Sequence, residues 1–142
     1  MSYNKYKLVA PWDQTKWIVA SSTTFLIPSI YAYYKNIYYL SFISIITSFF
    51  SINFWRNARY SLRRKIDIVN AIFAFIFFSL HGFYYITSKL HIAICYPGFF
   101  LSIYLYYYSN QLFYIKNKKW VSYHVLFHLV MTIEKMFIIY NI

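Results

Sequence analysis

IDIVNAIFAFIFFSLHGFYYITS, residues 66–88, decides the fold. It runs for 23 residues with a single charged side chain, Asp67, at its start. Crossing a bilayer as a helix takes about 20 mostly apolar residues. The apolar positions do not alternate, and the run is too long for one strand, so the stretch reads as a spanning helix. The stretches around it read the same way. Trp17–Tyr34, Ile37–Trp55 and Leu90–Ile115 contain no Asp, Glu, Lys or Arg. Trp120–Tyr140 contains only Glu134 and Lys135, late in the run. The expectation is an all-α integral membrane bundle of five transmembrane helices, about 17–34, 37–55, 66–88, 90–115 and 120–140, forming one domain over 1–142.

Composition agrees with lipid as the solvent. The chain is 61% hydrophobic, 26% aromatic and 12% charged. Soluble domains carry roughly 25% charged residues. The soluble alternative is a β-rich aromatic domain, since Ile, Tyr and Phe favour strands. Absent alternation and scarce turn residues argue against it. Within lipid a helix satisfies its own backbone groups. Pro28 and the Pro97-Gly98 pair fall inside two of the runs and are expected to kink those helices rather than end them. The first sixteen residues, with Pro11 and Asp13, do not read as a cleavable signal. The lone Cys95 has no internal disulfide partner. Abundant Ile, Tyr, Phe, Lys and Asn with two Gly suggests an AT-rich genome, as in giant viruses or protist organelles.

Charge placement gives an orientation. Fourteen Lys and Arg face three Asp and Glu. With five spans, the N-terminus, the second loop and the fourth loop share one side. Eleven of the basic residues lie there, from Lys5, Lys7 and Lys16 through the dense run Arg56–Lys65 to Lys116, Lys118 and Lys119. Lys35 and Lys89 lie on the other side. The positive-inside rule puts the N-terminus inside and the C-terminus outside or in a lumen. The Arg56–Lys65 run reads first as a topology signal, with anionic lipid headgroups as the next reading. No binding module for nucleic acid accompanies it.

The polar residues within the spans are few. His124 and His128 stand four apart, so on a helix they share a face and can present two imidazoles to one metal ion. Ser51 and Trp55 are also four apart, near the end of the second span. Asp67 opens the third. The topology puts all five residues at similar depth, on the inner side. The plain reading of each is structural. The imidazoles bond between helices, Asp67 pairs with the preceding Arg63, Arg64 or Lys65 or caps its helix, Ser51 bonds back to the carbonyl four residues earlier, and Trp55 is an interface aromatic. Glu134 falls roughly 21 Å along the helix from Trp120, near the far headgroups, where Lys135 snorkels.

Together, SINFW at 51–55, Asp67 in RRKIDIVNA and HVLFH at 124–128 resemble the seven-span membrane hydrolases of the alkaline ceramidase, adiponectin-receptor-like and GPI-remodelling lipase superfamily. That pattern has Ser-x-x-x-His late in one helix, Asp about a dozen residues on, and His-x-x-x-His in the last helix. The resemblance implies a zinc ion on three His, with Ser and Asp assisting a metal-bound water that cleaves a lipid amide or ester. Two departures stand out. Trp55 occupies the position of the first His, and the chain has five spans rather than seven.

Two functional readings follow. In the first, the chain is a small multi-pass membrane protein without catalysis. It is then a degenerate, shortened relative of those hydrolases or an accessory subunit of a membrane complex, with no cofactor. In the second, it is a zinc-dependent hydrolase of lipid amides or esters. Asp67 then replaces the missing ligand beside His124 and His128, and Ser51 assists at the oxyanion. The missing His at Trp55 favours the first. The partners expected are membrane lipid and other membrane subunits, with no nucleic acid. The expected location is a viral membrane, an endomembrane or an organellar inner membrane.

Overall fold

The computed structural model describes residues 7–142, so Lys5 in the basic count lies outside it. The described chain is all-helical. Its elements are α1 (Trp12–Ser22), a short 3-10 turn (Thr23–Phe25), α2 (Leu26–Tyr34), α3 (Tyr38–Trp55), α4 (Leu62–Tyr85), α5 (Lys89–Tyr114) and α6 (Trp120–Asn141). Four of them, α3 to α6, are long and apolar enough to cross a membrane. That fits a multi-pass integral membrane protein.

The first apolar stretch departs from the expected single helix. Its helical path runs from Trp12 to Tyr34, but residues Thr23–Phe25 tighten into the 3-10 turn. Pro28 supplies the reason. Its ring leaves it without an N–H and crowds the carbonyl four residues back, at Thr24. The distortion therefore falls just before the proline. Pro97 disturbs α5 less, and that helix continues through it from Lys89 to Tyr114. The helix expected over 66–88 instead begins at Leu62, so Arg63–Lys65 form its first turn, and it stops at Tyr85 where Ile86 turns extended.

Helix ends are closed without glycine. Asn36 and Lys116 take the left-handed conformation at φ 60° and 57°. Beyond Asn36, the Ile37 N–H reaches the Ala32 carbonyl at 2.8 Å. Beyond Lys116, the Asn117 N–H reaches the Leu112 carbonyl at 2.9 Å. Both arrangements satisfy carbonyls left open by the last helical turn. Lys35 adds a cation at the end of α6, donating to the Ile139 and Tyr140 carbonyls at 3.4 and 3.3 Å, where the helix dipole favours it. The N-terminal segment is tied to the α3–α4 connection: the Val9 N–H donates to the Ala58 carbonyl at 2.7 Å and the Tyr60 N–H to the Lys7 carbonyl at 3.1 Å.

Packing is uneven around the bundle. α6 lies against α1, α2, α4 and α5, and α3 lies against α1, α2 and α4. Among the described residues α4 and α5 share no broad packed face, although consecutive. They meet through rings, with Phe75 stacked on Phe99 at 5.3 Å and Phe83 edge-on to Tyr96 and Phe99 at 5.6 Å each. The outer faces of both helices are apolar. On α4, Val69, Ile72, Phe73, Ile76, Leu80 and Phe83 are exposed at helical spacing. Such a stripe is foreign to a water-facing surface and ordinary against lipid.

Two apolar clusters hold the ends of the bundle. One joins Ile18, Phe54, Trp55, Leu112, Trp120 and Val121. The other joins Ala32, Leu40, Phe78, Ile86, Ile138 and Ile139. Between them lies a buried polar layer: Ser21 and Ser22 of α1, Ser48 and Ser51 of α3, and His124, His128, Thr132 and Lys135 of α6. Small hydroxyl residues allow close helix approach and supply interhelical hydrogen bonds in lipid. Ser48 Oγ donates to the Ser22 carbonyl at 2.9 Å, and Ser29 Oγ to the Ser41 carbonyl at 3.0 Å. α1, α2 and α3 are thereby joined along a serine seam.

Candidate functional site

A cavity of about 530 Å³ opens between α3, α4, α5 and α6, reaching Phe25 of the 3-10 turn. Ser51, Trp55, Asp67, His124 and His128 all line it. The shared depth read from the topology thus corresponds to a shared wall. The volume lies within the range of small-molecule sites, roughly 300–1,000 Å³. Most of the remaining wall is apolar, with Phe54, Ile68, Ala74, Phe75, Ile103 and Phe127 among its residues.

α6 positions both imidazoles. His124 and His128 are one turn apart, with ring centroids 4.9 Å from each other, as their spacing of four requires. Both are buried. His128 Nδ1 is 2.9 Å from Ser21 Oγ, and its ring lies 5.1 Å from that of Phe25. His124 is enclosed by aromatics. Trp55 stands edge-on to it at 5.1 Å, and Trp120 and Phe127 lie at 6.1 and 5.9 Å. His128 therefore has the interhelical bonding expected of a polar group in lipid, through Ser21, whereas His124 is held by ring contacts.

Trp55 is not an exposed interface residue. It is buried, packed on Trp120 at 5.8 Å as well as on His124. Its indole fills the space beside the imidazole pair. Ser51 does not bond back along its own helix. Its hydroxyl lies 2.8 Å from that of Ser22, which in turn donates to the Ile18 carbonyl at 2.7 Å. Asp67 is buried on the α4 wall of the cavity. Arg64, one turn before it, also lines the cavity, with its guanidinium 5.2 Å from the Tyr60 ring centroid.

The zinc implied by the superfamily does not fit this donor arrangement. Among the described residues, no group of three or more His, Cys, Asp or Glu side chains lies close enough together to hold a metal ion. Asp67, His124 and His128 face one cavity without converging into a three-ligand centre. The remaining histidines have other partners. His81 Nδ1 is 2.8 Å from the Phe77 carbonyl, and His91 Nδ1 is 2.6 Å from Asn141 Oδ1. Neither lines the cavity.

Lys135 and Glu134 depart furthest from the sequence reading. Lys135 does not snorkel to the far headgroups; it is 1% exposed and lines the cavity from within the bundle. Its Nζ sits 4.4 Å from the Phe25 ring centroid and 4.9 Å from that of Phe78. Glu134 points to α5 instead, accepting a hydrogen bond from Cys95 Sγ at 3.0 Å beside Gly98. α6 faces several neighbours along its length, which gives an ionisable side chain near its far end no free route outward. The seam partners Ser21 and Ser22 were legible in principle. Small hydroxyl residues recur at helical spacing through Ser41, Ser44, Ser48 and Ser51, the mark of a packed helix face in lipid.

The chain matches no family model, no curated protein and no solved structure.

Proposed function

We propose that the chain is a non-catalytic multi-pass membrane protein whose bundle holds a membrane amphiphile in the cavity between α3, α4, α5 and α6. In this reading the helical path Trp12–Tyr34 makes a fifth crossing and the N-terminus lies inside. The observation that carries the reading is the cavity itself: apolar walls, a few inward polar groups, and a flank where α4 and α5 meet through a few rings rather than a broad packed face. A bilayer component enters such a flank without passing through water. The basic side of the topology, with Arg64 at the cavity wall, suits an encounter with anionic lipid surfaces. The exposed apolar faces of α4 and α5 also serve packing against other membrane subunits.

The same reading treats the chain as a reduced relative of the ceramidase-like hydrolases in which Trp55 fills the place of a ligand. The hydrolase alternative has one observation in its favour, the common cavity of Ser51, Asp67, His124 and His128. Against it stand the buried indole beside His124 and the unconverged donors. The deciding experiment incubates purified protein with long-chain ceramides and lysolipid esters, with zinc supplied. The expected result is no release of fatty acid above the protein-free control. Turnover that disappears in His124→Ala would overturn the non-catalytic reading.

A further inference from the structure

Lys135 borders the deep end of the cavity, about 22 Å along α6 from Trp120 by helix rise. Its Nζ is fully enclosed and, among the described residues, meets no hydrogen-bond acceptor. Two rings flank it, those of Phe25 and Phe78. Aromatic faces attract a cation, yet they offer no lone pairs to its three N–H donors. The neighbouring carboxylate does not serve it, because Glu134 is turned to Cys95 on α5. A buried cation without an anion is costly in protein and more so in lipid. The rest of the cavity wall near this end is mostly apolar, with Phe75, Ala74 and Met131 beside the Ser102 hydroxyl, which donates to the Gly98 carbonyl at 3.0 Å. Lys135 therefore borders the cavity with an enclosed amine that has no acidic partner within hydrogen-bond distance, and the rings of Phe25 and Phe78 must give way for one to reach it.

We infer that Lys135 receives the carboxylate of a single-chain amphiphile, whose hydrocarbon lies along the apolar cavity walls of α4 and α5. The inference rests on the cavity reading above and adds the chemistry of the bound end. The carboxylate completes the Nζ donors with charge-assisted hydrogen bonds, which are the stronger kind. Phe25 and Phe78 exclude water from the pair. Ala71, Ile72 and Ile103 give the hydrocarbon an apolar track along the two helices. Arg64 is the competing cation, at the opposite end of the cavity wall and half-exposed.

The test measures binding to the detergent-solubilised full chain of two probes, a long-chain saturated carboxylate and the alcohol of equal length. Wild type is expected to bind the carboxylate at least about tenfold more tightly than the alcohol, the scale of a charged hydrogen bond. Lys135→Met should abolish that preference and leave alcohol binding in place. Lys135→Arg should retain most of the preference, and Arg64→Gln should leave it intact. Equal binding of both probes to wild type would overturn the inference while leaving the cavity reading standing. A preference lost in Arg64→Gln rather than in Lys135→Met would overturn it as well. Failure of both probes to bind would overturn the cavity reading itself. Should Lys135→Met not yield folded protein, the wild-type comparison of the two probes still decides.

Discussion

Trp120→Ala is expected to destabilise the solubilised bundle by about 3 kcal/mol or more, the usual scale for truncating a buried tryptophan. Trp120 opens α6 and is buried there. Its ring packs on Trp55 at 5.8 Å and edge-on to Phe113 at 5.1 Å. Its Nε1–H donates to Gln14 Oε1 at 3.3 Å, and its carbonyl accepts from Ser109 Oγ at 3.0 Å. One side chain therefore joins α1, α3, α5 and α6 at the basic end of the bundle. Truncation leaves a void that four helices must close together, and close packing resists such a collapse. Thermal unfolding in a mild detergent measures the effect. Trp17→Ala is the control, because Trp17 is 60% exposed and its loss should cost within about 0.5 kcal/mol. Equal midpoints for the two variants would show that Trp120 does not hold the four helices together.

Gly98→Val is expected to have the next largest effect. A Cβ at residue 98 would run into the Glu134 carboxylate on α6. α5 and α6 form the most extensive helix pair in the bundle, so there is little slack to absorb the clash. Overpacking of this kind costs about 1–3 kcal/mol, and here it also displaces the carboxylate from Cys95 Sγ. The contact predicts its own rescue. Glu134→Ala removes the obstructing group, so Gly98→Val in that background should cost much less than in wild type. The double-mutant cycle reads this as a coupling between the sites. Strictly additive losses would mean that residues 98 and 134 do not touch.

Much of the fold was legible because the deciding signal was the absence of charge over long stretches. Residues 38–55, 89–114 and 120–141 stand close to where apolar length alone puts them. The break before Pro28 was less so. A proline near the start of a helix costs little, and its effect fell on the preceding turn rather than on its own position. At the site, the spacing of His124 and His128 fixed their common face, since that follows from helix geometry alone. The bonding partner of His128 did not follow, because Ser21 lies over a hundred residues away and only packing brings it near. Lys135 was misread for a physical reason. Snorkelling requires an open path to the interface, and the ring of helices around this part of α6 closes it. Trp55 was misread likewise: an aromatic near a span end suits the headgroup region, but here it turns inward onto His124.

A cavity that holds a membrane amphiphile should keep it through gentle extraction. Native mass spectrometry of the chain, released from its membrane into a mild detergent, reads this occupancy. A bound species of lipid-like mass is expected on the wild-type chain. Loss of that species is expected from Ala74→Phe, in which a ring fills the cavity from a buried position on the α4 wall. A wild-type chain that appears only as bare polypeptide, or an adduct undiminished in folded Ala74→Phe, would contradict an amphiphile held in the cavity.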